Sequence, residues 1–262
     1  MVIYVQIKKG DLVSRNSYNN DTVFKVINIV DGVCYLKGVE VRLYADAQMD
    51  DLKLETDVVE ADEVDNIDIK DELLTRGDYF YLPAKVLHID GDEDYLNRCL
   101  KFYKKNGIFA IGKKINEKNI CEQIQLLLRE YKPDIVIITG HDAYLKKRGD
   151  INDLNNYKNS GYFVKAVKAA RNYEKSHEKL VIIAGACQSN YEELIKAGAN
   201  FASSPKRINI HALDPAIIAS TISLTERNKE IDLVKLLEKT KYKEDGMGGI
   251  MCNGLMYVGY PR

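Results

Sequence analysis

The 262-residue chain carries 38 Lys and Arg against 39 Asp and Glu, a formal net charge of −1, so no global attraction to nucleic acid or to an anionic membrane is expected. Its five cysteines are odd in number, scattered, and lack CxxC or Cys/His zinc spacing, which argues against a disulfide framework and for a reducing compartment. No signal-peptide pattern opens the chain, and no apolar run approaches the roughly 20 residues that span a bilayer. The expectation is a cytoplasmic protein, without membrane insertion and without a nucleic-acid partner.

Residues 1–56 read as all-β. Gly10-Asp-Leu-Val-Ser-Arg15 opens a strand, and Thr22 to Val30 is β-branched and partly alternating. Asp31-Gly32 is a hairpin signal before the strand Val33–Gly38, and Val41–Tyr44 is a further strand candidate. Short strands at this spacing predict a small SH3-like barrel, a fold that does not by itself choose a ligand. Residues 57–83 form a linker. Between Asp57 and Glu72 it holds eight acidic residues and one lysine, Lys70, a like-charge block that stays solvated.

From residue 84 to 262 the pattern becomes α/β. Strands are predicted at Lys85–Ile89 and Gly107–Ile111, and helices over Asp92–Tyr103, Asn116–Tyr131 and Ser160–Tyr173. Short strands follow at Phe201–Ser204 and Ile208–His211. Asp214-Pro215 starts a helix with proline in its first turn, another helix runs from Lys229 to Lys239, and the tail from Gly246 to Val258 reads as a hairpin. Alternation of strands and helices predicts a mostly parallel sheet with helices on both faces, a three-layer domain.

Two stretches carry chemistry. Leu180-Val-Ile-Ile-Ala184 is an apolar run fit for a strand buried on both faces, and Gly185-Ala-Cys187-Gln-Ser189 follows it. Ser189 to Glu192 has the spacing of a capping box, so a helix starts there and Cys187 lies near its positive end, where thiolate is favoured. Ile135-Val-Ile-Ile138 is a matching strand, and Thr139-Gly140-His141-Asp142 follows it. If the two strands are neighbours, His141 and Cys187 meet at the carboxyl edge of the sheet, where open α/β sheets bind ligands. A cysteine nucleophile needs a base, and histidine is the usual one.

The other groups weigh less. Cys34, Cys99, Cys121 and Cys252 read as small buried hydrophobes. His177 lies in a charged segment and His88 inside an apolar strand, whereas His211, near Asp214, is the rival base. Asp142 can orient an imidazole, hold a cationic substrate group, or cap a turn. Backbone groups for an oxyanion are expected from the Cys187 amide and Gly140–Asp142, with Gly185 and Ala186 beside them, and the glycines Gly140 and Gly185 let a substrate backbone approach. No phosphate-binding glycine motif follows a strand, and His141-Asp142 alone is a weak metal signal, so neither cofactor nor metal is expected.

The segments Lys9–Val13, Val86–Asp92, Ile138–Asp142, Ala184–Ser189, Ala197–Pro205, Ile210–Pro215, Gly248–Ile250 and Pro261-Arg262, in this order, resemble the sporulation-specific YabG protease family over nearly the whole chain. The resemblance implies a cysteine endopeptidase of the mother cell, associated with the spore coat. It implies that spore coat and cortex proteins are its substrates, cleaved after Arg or Lys. The family's His and Cys fall on His141 and Cys187. The order and spacing of the pair are also similar to those of caspase-like peptidases, about 50 residues apart with His first, although Gly140-His141 reverses their usual His-Gly. Cleavage after Arg requires an acidic S1 pocket, for which Asp142, Asp214 and Glu192 are candidates. Lys146-Lys-Arg148 is a candidate self-cleavage site. The alternatives are a non-catalytic spore-coat scaffold and an amidotransferase-like hydrolase using Cys187 with His211.

Overall fold

The computed structural model describes residues 7–56, 78–145 and 149–260. The chain divides into two compact units, 1–63 and 64–262, and the boundary lies inside the expected linker. The whole acidic block, residues 57–72, lies outside the described residues, as does Lys146-Lys-Arg148.

In the first unit, strands β1 (Leu12–Arg15), β2 (Phe24–Val30), β3 (Val33–Gly38), β4 (Tyr44–Gln48) and β5 (Leu52–Leu54) form one antiparallel sheet in the order β4-β3-β2-β1-β5. The hairpin at Asp31-Gly32 forms as expected, with φ positive at both residues. The strand expected at Val41–Tyr44 begins at Tyr44, as β4. Val13, Phe24, Val26, Cys34 and Leu36 fill the core on one face. A single 3₁₀ turn, Met49–Asp51, joins the two edge strands, so the sheet must curl tightly. Among the described residues no ladder pairs β4 with β5, so the closed barrel expected from the sequence is not reached.

The second unit is built on a six-stranded sheet. Its strands are β7 (Val86–Asp90), β8 (Ala110–Lys114), β9 (Ile135–Thr139), β10 (Val181–Ala184), β11 (Phe201–Ser203) and β12 (Met247–Gly249), in the order β12-β11-β10-β9-β7-β8. All neighbours are parallel except β11 and β12. Period-two alternation sends Val86, Ile135, Ile137, Val181 and Ile183 to one face. It sends Leu87, Ile89, Val136, Ile138 and Ile182 to the other. Helices α1 (Glu93–Lys105) and α5 (Asp214–Leu224) cover the first face. The second is covered by α2 (Glu117–Tyr131), α3 (Ser160–Tyr173) and the short α4 (Tyr191–Lys196). Burial on both faces is why β7, β9 and β10 read as continuous apolar runs.

The helix starts follow from their caps. The Asp92 carboxylate accepts from the amides of Asp94 and Tyr95, and the Asn116 side chain accepts from that of Lys118. Helix α2 then buries Ile120, Ile124 and Leu128, and truncating Ile124 to Ala would cost about 2–5 kcal/mol. Helix α4 departs from expectation. Asn190, not Ser189, is its cap, accepting from the Glu193 amide. The 208–211 segment forms no strand, and the helix expected over Lys229–Lys239 shortens to α6 (Leu233–Glu238). The tail is not a hairpin. Strand β12 pairs with β11, and β13 (Tyr257–Gly259) pairs with β6 (Phe80–Leu82), so each finds a partner distant in sequence.

Candidate active site

The sheet changes direction between β7 and β9. From β7 the chain crosses by α1 to β8 on one side, and then by α2 to β9 on the other. The carboxyl ends of two strands that diverge in this way leave a crevice, which is where open α/β sheets bind ligands. Asp90 ends β7, and Thr139 sits directly opposite it at the end of β9. Past these ends, His141 Nε2 pairs with Asp92 Oδ2 at 3.1 Å across the crevice. The same carboxylate uses Oδ1 to cap α1. Tyr95, in the first turn of α1, lies with its ring centroid 5.7 Å from that of His141. The His141 amide donates to Glu117 Oε1 at 2.8 Å, and its carbonyl accepts from Asn159 Nδ2 at 2.7 Å. The imidazole is thus held from α1, and its backbone from α2 and the start of α3.

Gly140 is explained by Glu117. A Cβ on Gly140 would lie 2.4 Å from Glu117 Oε1, and one on Gly91 would lie 2.3 Å from the same oxygen. The buried carboxylate fills the space that the two glycines leave, and from there it reaches the His141 amide.

Cys187 follows β10 as His141 follows β9. The last paired residues of the two strands are Ile138 and Ala184, so each of the two residues lies three positions beyond the pairing. Gly185 turns the chain with φ +102°, and a Cβ there would meet Ser203 Oγ at 2.6 Å. Gln188 follows with φ +57°, a left-handed conformation uncommon outside glycine. Between them the Cys187 side chain turns into the core on the α1/α5 face, fully buried. The Ile210 amide donates to its sulfur at 3.2 Å, and the thiol lies 3.8 Å from the Ile210 carbonyl. Helix α4 has only six residues, so its dipole contributes less here than the sequence suggested.

Asp142 joins the two turns. Its Oδ2 accepts from Ser160 Oγ at 2.5 Å and from Ser189 Oγ at 2.9 Å, and its Oδ1 accepts from the amides of Asn159 and Ala143. Burial pushes its carboxyl above the ordinary range, while the Ser160, Asn159, Ser189 and Ala143 hydrogen bonds oppose that shift. Ser189 in turn accepts from the Ala186 amide at 2.9 Å.

A model of the family described as YabG peptidase U57 matches residues 8–73 and 59–261. The chain is also 42% identical over 286 residues to the sporulation-specific protease YabG of Bacillus subtilis (strain 168), covering 98% of this chain and 99% of that protein. The chain belongs to the YabG peptidase U57 family. It is a peptidase.

For a YabG-family peptidase the sequence proposed three acids to receive a cationic side chain, and the fold already engages all of them. Asp142 holds the four donors above. Asp214 is fully buried and accepts from the amides of His211 and Lys241. Glu192 reaches the surface and there pairs with Arg207. Two proposed backbone positions are engaged as well. The Gly185 amide donates to the Ile138 carbonyl at 3.0 Å and that of Ala186 to Ser189, so their N–H groups serve the sheet and the turn.

The remaining histidines also have defined surroundings. His88 is buried with Nδ1 2.9 Å from the Tyr103 hydroxyl. His177 packs against Arg171. His211 is buried beside Ile210, and its Nδ1 accepts the Leu213 amide at 3.2 Å. Among the described residues no group of three or more His, Cys, Asp or Glu side chains is arranged to hold a metal ion, and no helix is long and apolar enough to cross a membrane. Sequence reasoning missed Glu117 and the second role of Asp92. The signal available for Asp92 was its place, as a helix cap, at the carboxyl end of the strand where the sheet reverses.

Proposed function

We propose that this YabG-family peptidase is a sporulation-specific cysteine endopeptidase in which Cys187 is the nucleophile and His141 the general base and acid. The observation that carries the reading is the matched placement of the two residues. Each lies three positions beyond the register at which β9 and β10 pair, and the Asp142–Ser189 hydrogen bond ties the two turns together. The Cys187 thiolate attacks the scissile carbonyl carbon. The His141 imidazolium gives its proton to the leaving amine, and a thioester to Cys187 remains. His141 then takes a proton from water, the hydroxide adds to the thioester carbonyl, and the thiolate is released. Oxyanion stabilisation is assigned to the Cys187 amide.

The proposed substrates are proteins of the spore coat and cortex machinery, cut after Arg or Lys, as the resemblance implies, and the name of the Bacillus subtilis relative supports the assignment to sporulation. Of the acids considered for S1, Glu192 is the one at the surface, and a substrate guanidinium would reach it by displacing Arg207.

A second reading, with His211 as the base, is favoured by the Ile210 amide on the Cys187 sulfur. The Leu213 amide argues against it, because it already engages the basic lone pair of His211. Nδ1 of His211 accepts an amide N–H, so the neutral ring carries its proton on Nε2. His141 presents Nε2 to a carboxylate, which places the basic lone pair on Nδ1.

The test is digestion of an Arg- and Lys-containing peptide library by the purified protein and by Cys187→Ala, His141→Ala and His211→Ala variants, read by mass spectrometry. Cuts after Arg or Lys that vanish in the first two variants are expected. Undiminished cutting by Cys187→Ala would overturn the assignment, and loss confined to the Cys187 and His211 variants would transfer the role of base.

A further inference from the structure

We infer that Asp92 is a positioning residue for catalysis, which completes a Cys187–His141–Asp92 arrangement, and that it fixes His141 in the tautomer with the proton on Nε2. This inference rests on the dyad proposed above. Two observations and one rule of hydrogen bonding carry it. Asp92 Oδ2 lies 3.1 Å from His141 Nε2, with both side chains largely buried (7% and 16% exposed). An ionised carboxylate only accepts, so the hydrogen in the pair belongs to Nε2, and in the neutral ring Nδ1 is then the acceptor. The position of the carboxylate is itself fixed, because Oδ1 accepts from two amides of α1, at 3.0 and 3.2 Å.

The division of labour within one carboxyl group is the unusual feature. A helix cap needs a single oxygen, and Ser, Asn and Asp cap about equally well. The cap alone therefore does not demand a carboxylate at position 92. The second oxygen adds something that Ser cannot supply, an anion against the imidazole edge across the switch point of the sheet. When His141 takes a proton during the reaction, that anion stabilises the imidazolium. The other groups around His141 are placed differently. Tyr95 meets the ring with its own ring at a 58° tilt, Glu117 bonds the backbone amide, and Asp142 is turned toward Ser160 and Ser189. Of these neighbours, Asp92 sets a carboxylate oxygen against a ring nitrogen.

The experiment compares wild type, Asp92→Asn and Asp92→Ser, with Cys187→Ala as the control for the dyad. Both Asp92 variants retain a good cap, so circular dichroism and the melting temperature should stay close to wild type. Cleavage of an Arg-containing peptide identified from the library is followed at saturating and limiting substrate. We expect kcat to fall about 100-fold or more while KM changes little, because the interaction is made with the base and not with the substrate. In resting, ¹⁵N-histidine-labelled protein, the His141 ring should show a protonated Nε2 and a bare Nδ1 in wild type, and a mixture of tautomers in Asp92→Asn. Unchanged kcat in both folded variants would overturn the inference, as would a wild-type ring protonated on Nδ1. Activity that survives in Cys187→Ala would instead defeat the underlying dyad, and the ring spectra would still decide whether Asp92 sets the tautomer.

Discussion

Asp142 Oδ2 accepts a hydrogen bond from Ser189 Oγ at 2.9 Å, and this bond is a buried link between the turn that carries His141 and the turn that carries Cys187, beside the Tyr144 amide on Gln188 Oε1. The same carboxylate accepts Ser160 and two backbone amides, so it ties β9, the start of α3 and the end of β10 into one corner. Asp142→Ala would leave two buried hydroxyls and two amides without their acceptor. The expected cost is about 3 kcal/mol or more, since hydrogen bonds to a buried charge contribute about 1.5–3 kcal/mol each and do not add fully. Ser189→Ala should cost about 1–2 kcal/mol. The double variant should lose less than the sum of the two, by at least about 0.5 kcal/mol. Urea unfolding measures all three, and strict additivity would mean that the two turns are not coupled through this bond.

Gly140→Ala tests whether that glycine serves the fold. The new methyl would lie 2.4 Å from Glu117 Oε1 and 2.9 Å from its Cγ, so the Glu117 side chain must swing away and release the His141 amide. A loss of about 1–3 kcal/mol is expected from such overpacking, together with reduced turnover as His141 shifts. Glu117→Ala should accommodate the methyl, so that adding Gly140→Ala to it costs much less than in the wild type. Equal costs in the two backgrounds, measured by thermal unfolding, would show that Glu117 is not the obstacle.

The parts legible in the sequence were those where one residue's environment is set by its near neighbours. Buried strands β7, β9 and β10 announce themselves as apolar runs, and Asp92 and Asn116 announce α1 and α2 as caps. Strand β8 was misplaced because Phe109, apolar in type, is 63% exposed, while the strand continues through polar Lys113 and Lys114 at the sheet edge. Ser189 and Asn190 are both good caps. The choice between them was decided by Asp142, which draws the Ser189 hydroxyl away. The same limit explains the site. His141 and Cys187 were singled out because each follows a strand, whereas the Asp92–His141 pair joins residues 49 positions apart, and no local pattern reports such a pairing.

His177 predicts an acid-side loss of stability. Burial, and then the neighbouring Arg171 guanidinium, lower its pKa below the ordinary 6.5, against a weaker opposing contribution from Asn200. The sign follows from linkage. The unfolded chain takes up the proton first as pH falls through about 6.5, so stability is full above that value and declines below it until the folded state also protonates. The urea midpoint should therefore drop between pH 7.5 and 5.5, and His177→Gln should show a smaller drop over the same window. An identical drop in the variant would assign the effect to other groups.

Thiol reactivity gives the last prediction, and it decides how a probe of the nucleophile is read. Burial pushes the Cys252 thiol up to about 11, so at pH 7 only about one molecule in 10⁴ carries the reactive thiolate there. Iodoacetamide labelling of Cys252 should then be slow at neutral pH and accelerate about tenfold per pH unit between 7 and 10. Cys252 lines a cavity of about 320 Å³ with His177 and Val181, at the start of β10, whereas Cys187 follows its end. Alkylation at Cys252 should accordingly leave turnover unchanged, whereas an Arg-containing peptide alkylator should inactivate the enzyme by modifying Cys187. Peptide mapping of the two products separates the sites. Labelling of Cys252 that is fast and flat with pH would show that burial does not restrain its thiol, and inactivation that tracks Cys252 modification would count against Cys187 as the nucleophile.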